Sequence, residues 1–382
     1  MEPITQPSRS MTRRLALPAS GLIALCAFVH ACGGGGGGGG GGNPPAPAPP
    51  PPSSFISTGM FPGDGATNIS RQPLILLNFN DTVNPATMNA TTVTLSQGPV
   101  AVATTLTYIA CSNRIQMVPN AALDPGLPYT VAVTAGLLDD DGEAMTAISR
   151  SFTTTAQADI IRPTFTAAGF TAVPNNPNET TEVFLNWADA TDDTSIAGAI
   201  SYRVYVSTQP VCYNFDAPAL VVPAGVTDAI IPGLTPRTLY SFVVRAVDAA
   251  GNESLNVNQV NATTFTSFLQ NVYQVSFNSC PACHVGPNGQ AVLQGINMDY
   301  STPATTYASW VSQASQCVTA AASGFGVRVD PGSPTTSFLW NKISGLPAGV
   351  ACGGQMPLNA APLSAEEQDI FFDWITEGAL DN

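Results

Sequence analysis

Between residues 55 and 266 the apolar positions come in short β-branched and aromatic runs, broken every few residues by Gly, Pro, Asn or Asp. Leu74-Ile75-Leu76-Leu77-Asn78-Phe79 and Tyr129-Thr130-Val131-Ala132-Val133 are of this kind, and Tyr202-Arg203-Val204-Tyr205-Val206-Ser207 alternates at the period of a half-buried strand. Short strands with regular turn signals predict β-sandwiches. Past residue 267 the period changes. Phe268, Val272 and Val275, with Leu269 and Tyr273, fall on one helical face, and Ile370, Phe371, Trp374 and Ile375 make a second stripe. Ser364-Ala365-Glu366-Glu367 reads as a capping box that starts this second helix, and Gly378 is placed to end it. The pattern therefore predicts a multidomain chain: two all-β sandwiches over 55–156 and 160–266, then a small all-α domain over 267–382.

The first 54 residues fit neither pattern. Arg13 and Arg14 precede a largely apolar stretch from Leu15 to Val29, which is too short and too interrupted to span a membrane comfortably. It ends in Val29-His30-Ala31-Cys32, which resembles the lipobox of bacterial lipoproteins. That resemblance implies a signal segment over 1–31 and lipidation of Cys32. The unbroken glycines of 33–42 and the proline-rich 43–54 cannot form a packed element and read as a tether over 32–54. Gly33 after the lipidated cysteine resembles the outer-membrane-sorted class, so the expected location is the bacterial cell envelope, with membrane contact through the lipid only.

Within the first β region, Pro62-Gly63-Asp64-Gly65-Ala66, Leu123-Asp124-Pro125-Gly126-Leu127-Pro128-Tyr129-Thr130 and Ser151-Phe152-Thr153-Thr154 resemble bacterial Ig-like domains. Tyr129 fits a tyrosine corner. In the second, Val183-Phe184-Leu185-Asn186-Trp187, Leu234-Thr235-Pro236-Arg237-Thr238-Leu239-Tyr240 and the Asp248-Ala249-Ala250-Gly251-Asn252-Glu253-Ser254 turn resemble a fibronectin type III domain. Neither sandwich contains a histidine or a nucleophile elbow, so a spacer or binding surface is the default. Asp189, Asp192 and Asp193 read as a solvated acidic loop rather than a calcium site. Cys111 and Cys212, one in each sandwich, read as buried apolar residues rather than a bridge.

The formal charge is −14, with Lys342 the single lysine, so there is no basic surface for nucleic acid. An acidic surface suits docking to a basic patch on a redox partner protein.

The chemistry concentrates at Cys280-Pro281-Ala282-Cys283-His284. Two thiols about one helical turn apart can add to the two vinyl groups on one haem edge, and the adjacent imidazole then reaches the iron. Cys-x-x-Cys also serves in zinc sites and dithiol centres, but no second ligand pair and no βαβ pattern accompany it. At the other end, Gln355-Met356-Pro357-Leu358 precedes the capped last helix. A first and last helix, with a Met-Pro loop between them, resembles class I cytochrome c, and resemblance covers roughly the last third of the chain. It implies one covalent haem c held by Cys280 and Cys283, with His284 as proximal and Met356 as distal iron ligand. Elimination agrees. His284 is the one histidine left after removal of the signal segment, and Met298 lies only fourteen residues beyond it, too near to return on the far haem face. Cys317 and Cys352, the remaining cysteines of this domain, are expected to form a disulfide in an oxidising compartment.

These readings make the chain an envelope electron carrier rather than an enzyme. The alternative is a surface adhesion or scaffold lipoprotein whose sandwiches bind protein or glycan, with the haem domain as redox sensor.

Overall fold

The computed structural model describes residues 54–284, 298, 300–316, 324–345, 354–357 and 360–382. The signal segment with Cys32, most of the tether, Cys317, Cys352 and the side chain of Cys283 lie outside the described residues. The residues from Ser53 onward form one compact unit.

Residues 57–154 build a sandwich of a four-stranded sheet, ordered β1 (Ser57–Phe61), β3 (Ile75–Phe79), β7 (Arg114–Pro119), β6 (Thr104–Ile109), on a five-stranded one. The second sheet runs β2 (Ala66–Ile69), β9 (Ile148–Thr154), β8 (Pro128–Val133), β4 (Val93–Gln97), β5 (Val100–Val102), with β2 and β9 parallel. Alternation decides the core: Ile75, Leu77 and Phe79 point in with Val93, Ile115, Met117 and Val131. The predicted tyrosine corner is present, since the Asp124 amide donates to Tyr129 Oη at 2.8 Å.

The second sandwich pairs a three-stranded sheet, β10 (Thr171–Asn176), β11 (Glu179–Asn186), β14 (Asp228–Ile231), with a four-stranded one. The latter runs β13 (Leu220–Val222), β12 (Ser201–Ser207), β15 (Leu239–Val247), β16 (Gln259–Thr263), which is the fibronectin type III arrangement. Trp187 packs edge-on against Tyr202 in its core. A second tyrosine corner, which the sequence reading passed over, is closed by the Thr235 amide on Tyr240 Oη at 2.9 Å.

The two sandwiches join through outward sheet faces. Leu74 and Leu76 of the first enter one buried cluster with Tyr205, Tyr213, Phe215 and Val243 of the second. The 212–216 loop acts as the wedge: Asp216 pairs with Arg114 at 3.6 Å, and Cys212 is disulfide-bonded to Cys111 with Cα atoms 5.9 Å apart. This corrects the expectation of two buried free thiols. Cys111 is exposed on a turn and Cys212 half-buried, so neither serves as a core hydrophobe, and the docking of the sandwiches brings them within bridging distance.

Described elements beyond residue 267 are helical, joined by isolated bridges such as Val311 with Val329. The fold as a whole is mostly β-sandwich with few helices, so the all-α character expected of 267–382 is not established. The first predicted helix starts as a π-turn, Phe268–Val272, and continues as an α-helix, Tyr273–Ser279. The last runs Ala365–Thr376 and carries the predicted reciprocal cap between Ser364 and Glu367. Phe371, Trp374 and Ile375 are buried, and Trp374 lies 5.3 Å from Phe268 between ring centroids, so first and last helices meet. This segment docks on the second sandwich. Arg237 pairs with Asp373 at 2.9 Å, Asn382 Nδ2 donates to the Pro177 carbonyl, and the Thr266 amide donates to the Glu377 carboxylate at 2.7 Å.

Two outcomes follow from these contacts. Cys111→Ser with Cys212→Ser opens a loop of 101 residues, worth roughly 4–5 kcal/mol in the chain-entropy model. A matching fall in unfolding free energy, with no change in far-ultraviolet circular dichroism, is expected on denaturant titration; unchanged stability would exclude the bridge. Burial raises the Glu377 carboxyl pKa, against the opposing Thr266 hydrogen bonds, so folding favours its protonated form. Its contribution is present below the unfolded value of about 4.3 and is lost as pH rises through the higher folded value. Glu377→Gln is expected to lessen the stability loss between about pH 4 and pH 7, read by denaturation at each pH; an identical pH profile would show that the carboxyl titrates normally.

Candidate functional site

The Tyr273–Ser279 helix ends by accepting the Cys280 amide on the Ser276 carbonyl at 2.8 Å. A single turn, Pro281–His284, follows, with the His284 amide donating to the Cys280 carbonyl at 3.2 Å. Pro281 at the first position suits a helix start because its missing N–H would be unsatisfied there anyway. This geometry turns His284 inward, where it is 9% exposed.

His284 and Cys280 line a cavity together with Met298, Met356, Tyr300 and Ile343. Its walls are overwhelmingly apolar. Met356 arrives on a loop braced from the Phe338–Ser344 helix: its amide donates to the Lys342 carbonyl at 2.8 Å, and Lys342 Nζ donates to the Gly354 carbonyl at 2.5 Å. Gln355 adds a bond to the Ile343 carbonyl at 2.9 Å. Met298 sits beside His284, its amide 3.5 Å from the His284 carbonyl. Tyr300 is buried and its Oη lies 4.0 Å from Met298 Sδ; burial, reinforced by Cys280, pushes its phenol pKa far up, so it stays protonated. Desolvation lowers the pKa values of Lys342 and Arg328.

The structure thus places Cys280, His284 and Met356, the residues named from sequence, on one cavity and adds Met298 and Tyr300 to it. Tyr300 carried no motif and was missed. The donor set suits a haem c: an imidazole, two thioethers and the thiol of Cys280 line one cavity with largely apolar walls. The proposed Cys317–Cys352 bridge lies outside the described residues.

A second polar centre joins the sandwiches. Asn252, 1% exposed, accepts from the Ser70 hydroxyl, bonds Asp248 through both backbone and side chain, and donates to the carbonyls of Asp159 and Ile161. Asp192, read from sequence as part of one loop with Asp189 and Asp193, instead converges with Asp159 and Asp248. Burial raises the Asp248 pKa, and the two neighbouring carboxylates add to it.

Residues 52–154 match the bacterial Ig-like domain family. The chain is 30% identical over 255 residues to Endoglucanase B of Cellulomonas fimi, covering 60% of this chain and 22% of that protein. It is 37% identical over 84 residues to Chitinase Chi52 of Paenibacillus xylanexedens, covering 22% of this chain and 14% of the other. The chain spans less than a quarter of the length of either. Among solved structures, a Fn3-like protein from Clostridium thermocellum is 27% identical, over 27% of this chain and 91% of that one, with a TM-score of 0.21.

These findings correct the electron-carrier reading. The 255-residue match is longer than the whole stretch from 267 to 382, so it necessarily includes β-sandwich residues, and the relatives are polysaccharide-degrading enzymes. The Cys280–His284 motif belongs to the last third of the chain and carries no information about the sandwiches that make up most of it.

Proposed function

We propose that this chain is a scaffold or adhesion protein of the bacterial envelope whose β-sandwiches bind polysaccharide, anchored by lipid on Cys32. The observation that carries this reading is the similarity to an endoglucanase over a stretch that must include β-sandwich residues, joined by a shorter similarity to a chitinase. In support, the mutual docking of the sandwiches makes them a stiff presenting unit rather than a hinge.

The C-terminal segment, in the same reading, is a cytochrome c-like domain that serves as a redox sensor. Cys280 and Cys283 would hold the haem, His284 and Met356 would ligate its iron, and the apolar walls would keep water away. Bound there, haem c supplies one-electron redox chemistry. The chain's own residues do the positioning: Lys342 and Gln355 hold the Met356 loop, and the Ser276 carbonyl fixes the turn that presents His284.

Two experiments test the two parts. Full chain incubated with insoluble chitin or amorphous cellulose is expected to sediment with the polymer, and failure to bind either, with the fold intact by circular dichroism, overturns the polysaccharide reading. Chain produced alongside haem-attachment machinery is expected to keep its haem through acid-acetone extraction. Met356→Ala should retain that haem and lose the weak red band of an iron–thioether bond. Loss of the band in Met298→Ala instead would transfer the distal role to Met298.

A further inference from the structure

The four-stranded sheet of the second sandwich has its outward face covered by the first, through Tyr205, Val243, Leu74 and Leu76. Its three-stranded sheet is not covered in this way among the described residues. There, Val183 and Leu185 of β11 point into the core with Ala229 and Ile231 of β14, which leaves Glu182, Phe184, Asn186, Asp228 and Ile230 on the outward face. On a solvated face, alternation calls for polar residues at every outward position. Three positions break the rule, and they are in register: Val173 pairs with Phe184, and Phe184 with Ile230.

The result is an apolar row crossing all three strands, with Val173 49% and Ile230 45% exposed and Phe184 half-buried at its centre. Single exposed apolar residues are ordinary, whereas an aligned row around an aromatic ring is a contiguous apolar strip on an otherwise polar face. Polar groups flank it on both sides. Thr171, Asn186 and Asp228 form the adjacent register row, and Asn175 donates to Glu182 at 2.7 Å on the opposite side.

We propose that this face binds a neutral polysaccharide chain, stacking a sugar ring on Phe184 between Val173 and Ile230 while the flanking amides, hydroxyl and carboxylates take its hydroxyl groups. The proposal rests on the polysaccharide reading above and places it on one sheet. Size and charge select the occupant. Strands about 4.8 Å apart make the row only about 10 Å across, whereas a stable protein interface engages roughly 20–30 residues a side. A polyanion would meet Glu182 and Asp228 on a chain of net charge −14. An uncharged, hydroxyl-rich chain with apolar ring faces fits both the row and its flanks.

The test uses full chain with insoluble chitin and amorphous cellulose, and with soluble hexasaccharides of each. Phe184→Ala and Ile230→Glu are expected to weaken binding at least roughly tenfold, while Val100→Ser, which alters an exposed position on the first sandwich, leaves it unchanged. Phe184→Trp should retain binding, and its added indole fluorescence should shift when the hexasaccharide is added. Wild-type binding that survives Ile230→Glu, with no indole response in Phe184→Trp, overturns this site and leaves the polysaccharide reading standing. Absence of binding by the wild-type chain ends both.

Discussion

The arrangement of the two sandwiches depends on a buried cation. Arg245 lies on the outward face of β15, is 1% exposed, and has its guanidinium 3.4 Å above the Phe215 ring and 3.7 Å from Glu253. Burial lowers its pKa and Glu253 opposes that shift, so the charge is tolerable only while its partners stay in place. Those partners are not local to one strand. Phe215 comes from the wedge loop; Glu253 also pairs with Arg203 and accepts from Tyr205, and its backbone carbonyl accepts from Arg162, which reaches back to Gln72 in the first sandwich. Arg245 takes its own partners from the second sandwich, Arg162 ties that cluster to Gln72 of the first, and the disulfide on the wedge loop fixes the loop that carries Phe215 to the first sandwich covalently.

That constraint determines which surfaces remain for function. One face of the fibronectin-like domain is consumed by the junction, and β15 is accordingly buried along nearly its whole length. The opposite, three-stranded face is left outward, and it is there that the polar alternation fails at Val173, Phe184 and Ile230. Outward sheet faces therefore carry two meanings. Residues buried on both faces of β15 mark a domain junction, and an exposed apolar row across β10, β11 and β14 marks the proposed ligand surface.

Much of this was legible in sequence because it is local. Strand alternation, the Tyr129 corner, the Ser364–Glu367 cap and the apolar stripe through Phe371 and Trp374 each depend on residues within a few positions of one another. What was not legible depends on pairing at a distance. Cys111 and Cys212 look like ordinary apolar cysteines until the sandwiches dock, since nothing in either local sequence encodes the other. Val173, Phe184 and Ile230 are separated in the chain and meet only through register. Of the cavity, Cys280, His284 and Met356 could be named from motifs, whereas Tyr300 has no motif and enters by burial alone. The functional misreading has the same origin: a short, chemically specific motif outweighed a long β region whose meaning is diffuse.

The cavity and the sheet are nevertheless parts of one mechanical body. Thr264, Thr266 and Ser267, where the second sandwich passes into the helical segment, are each no more than 2% exposed, so the segment does not swing on a solvated tether. Thr266 is held by Glu377, and Asp373 on the last helix is held by Arg237 of the sandwich. The last helix in turn packs through Trp374 on Phe268, at the start of the helix that leads to Cys280 and His284. A contiguous set of contacts thus runs from the cavity wall to the sandwich, and a protein fixed to a polymer by its outer sheet would carry its cavity at a fixed place on that surface. The positioning follows from burial at the 264–267 junction and from two ion or hydrogen-bonded pairs, with no further element required.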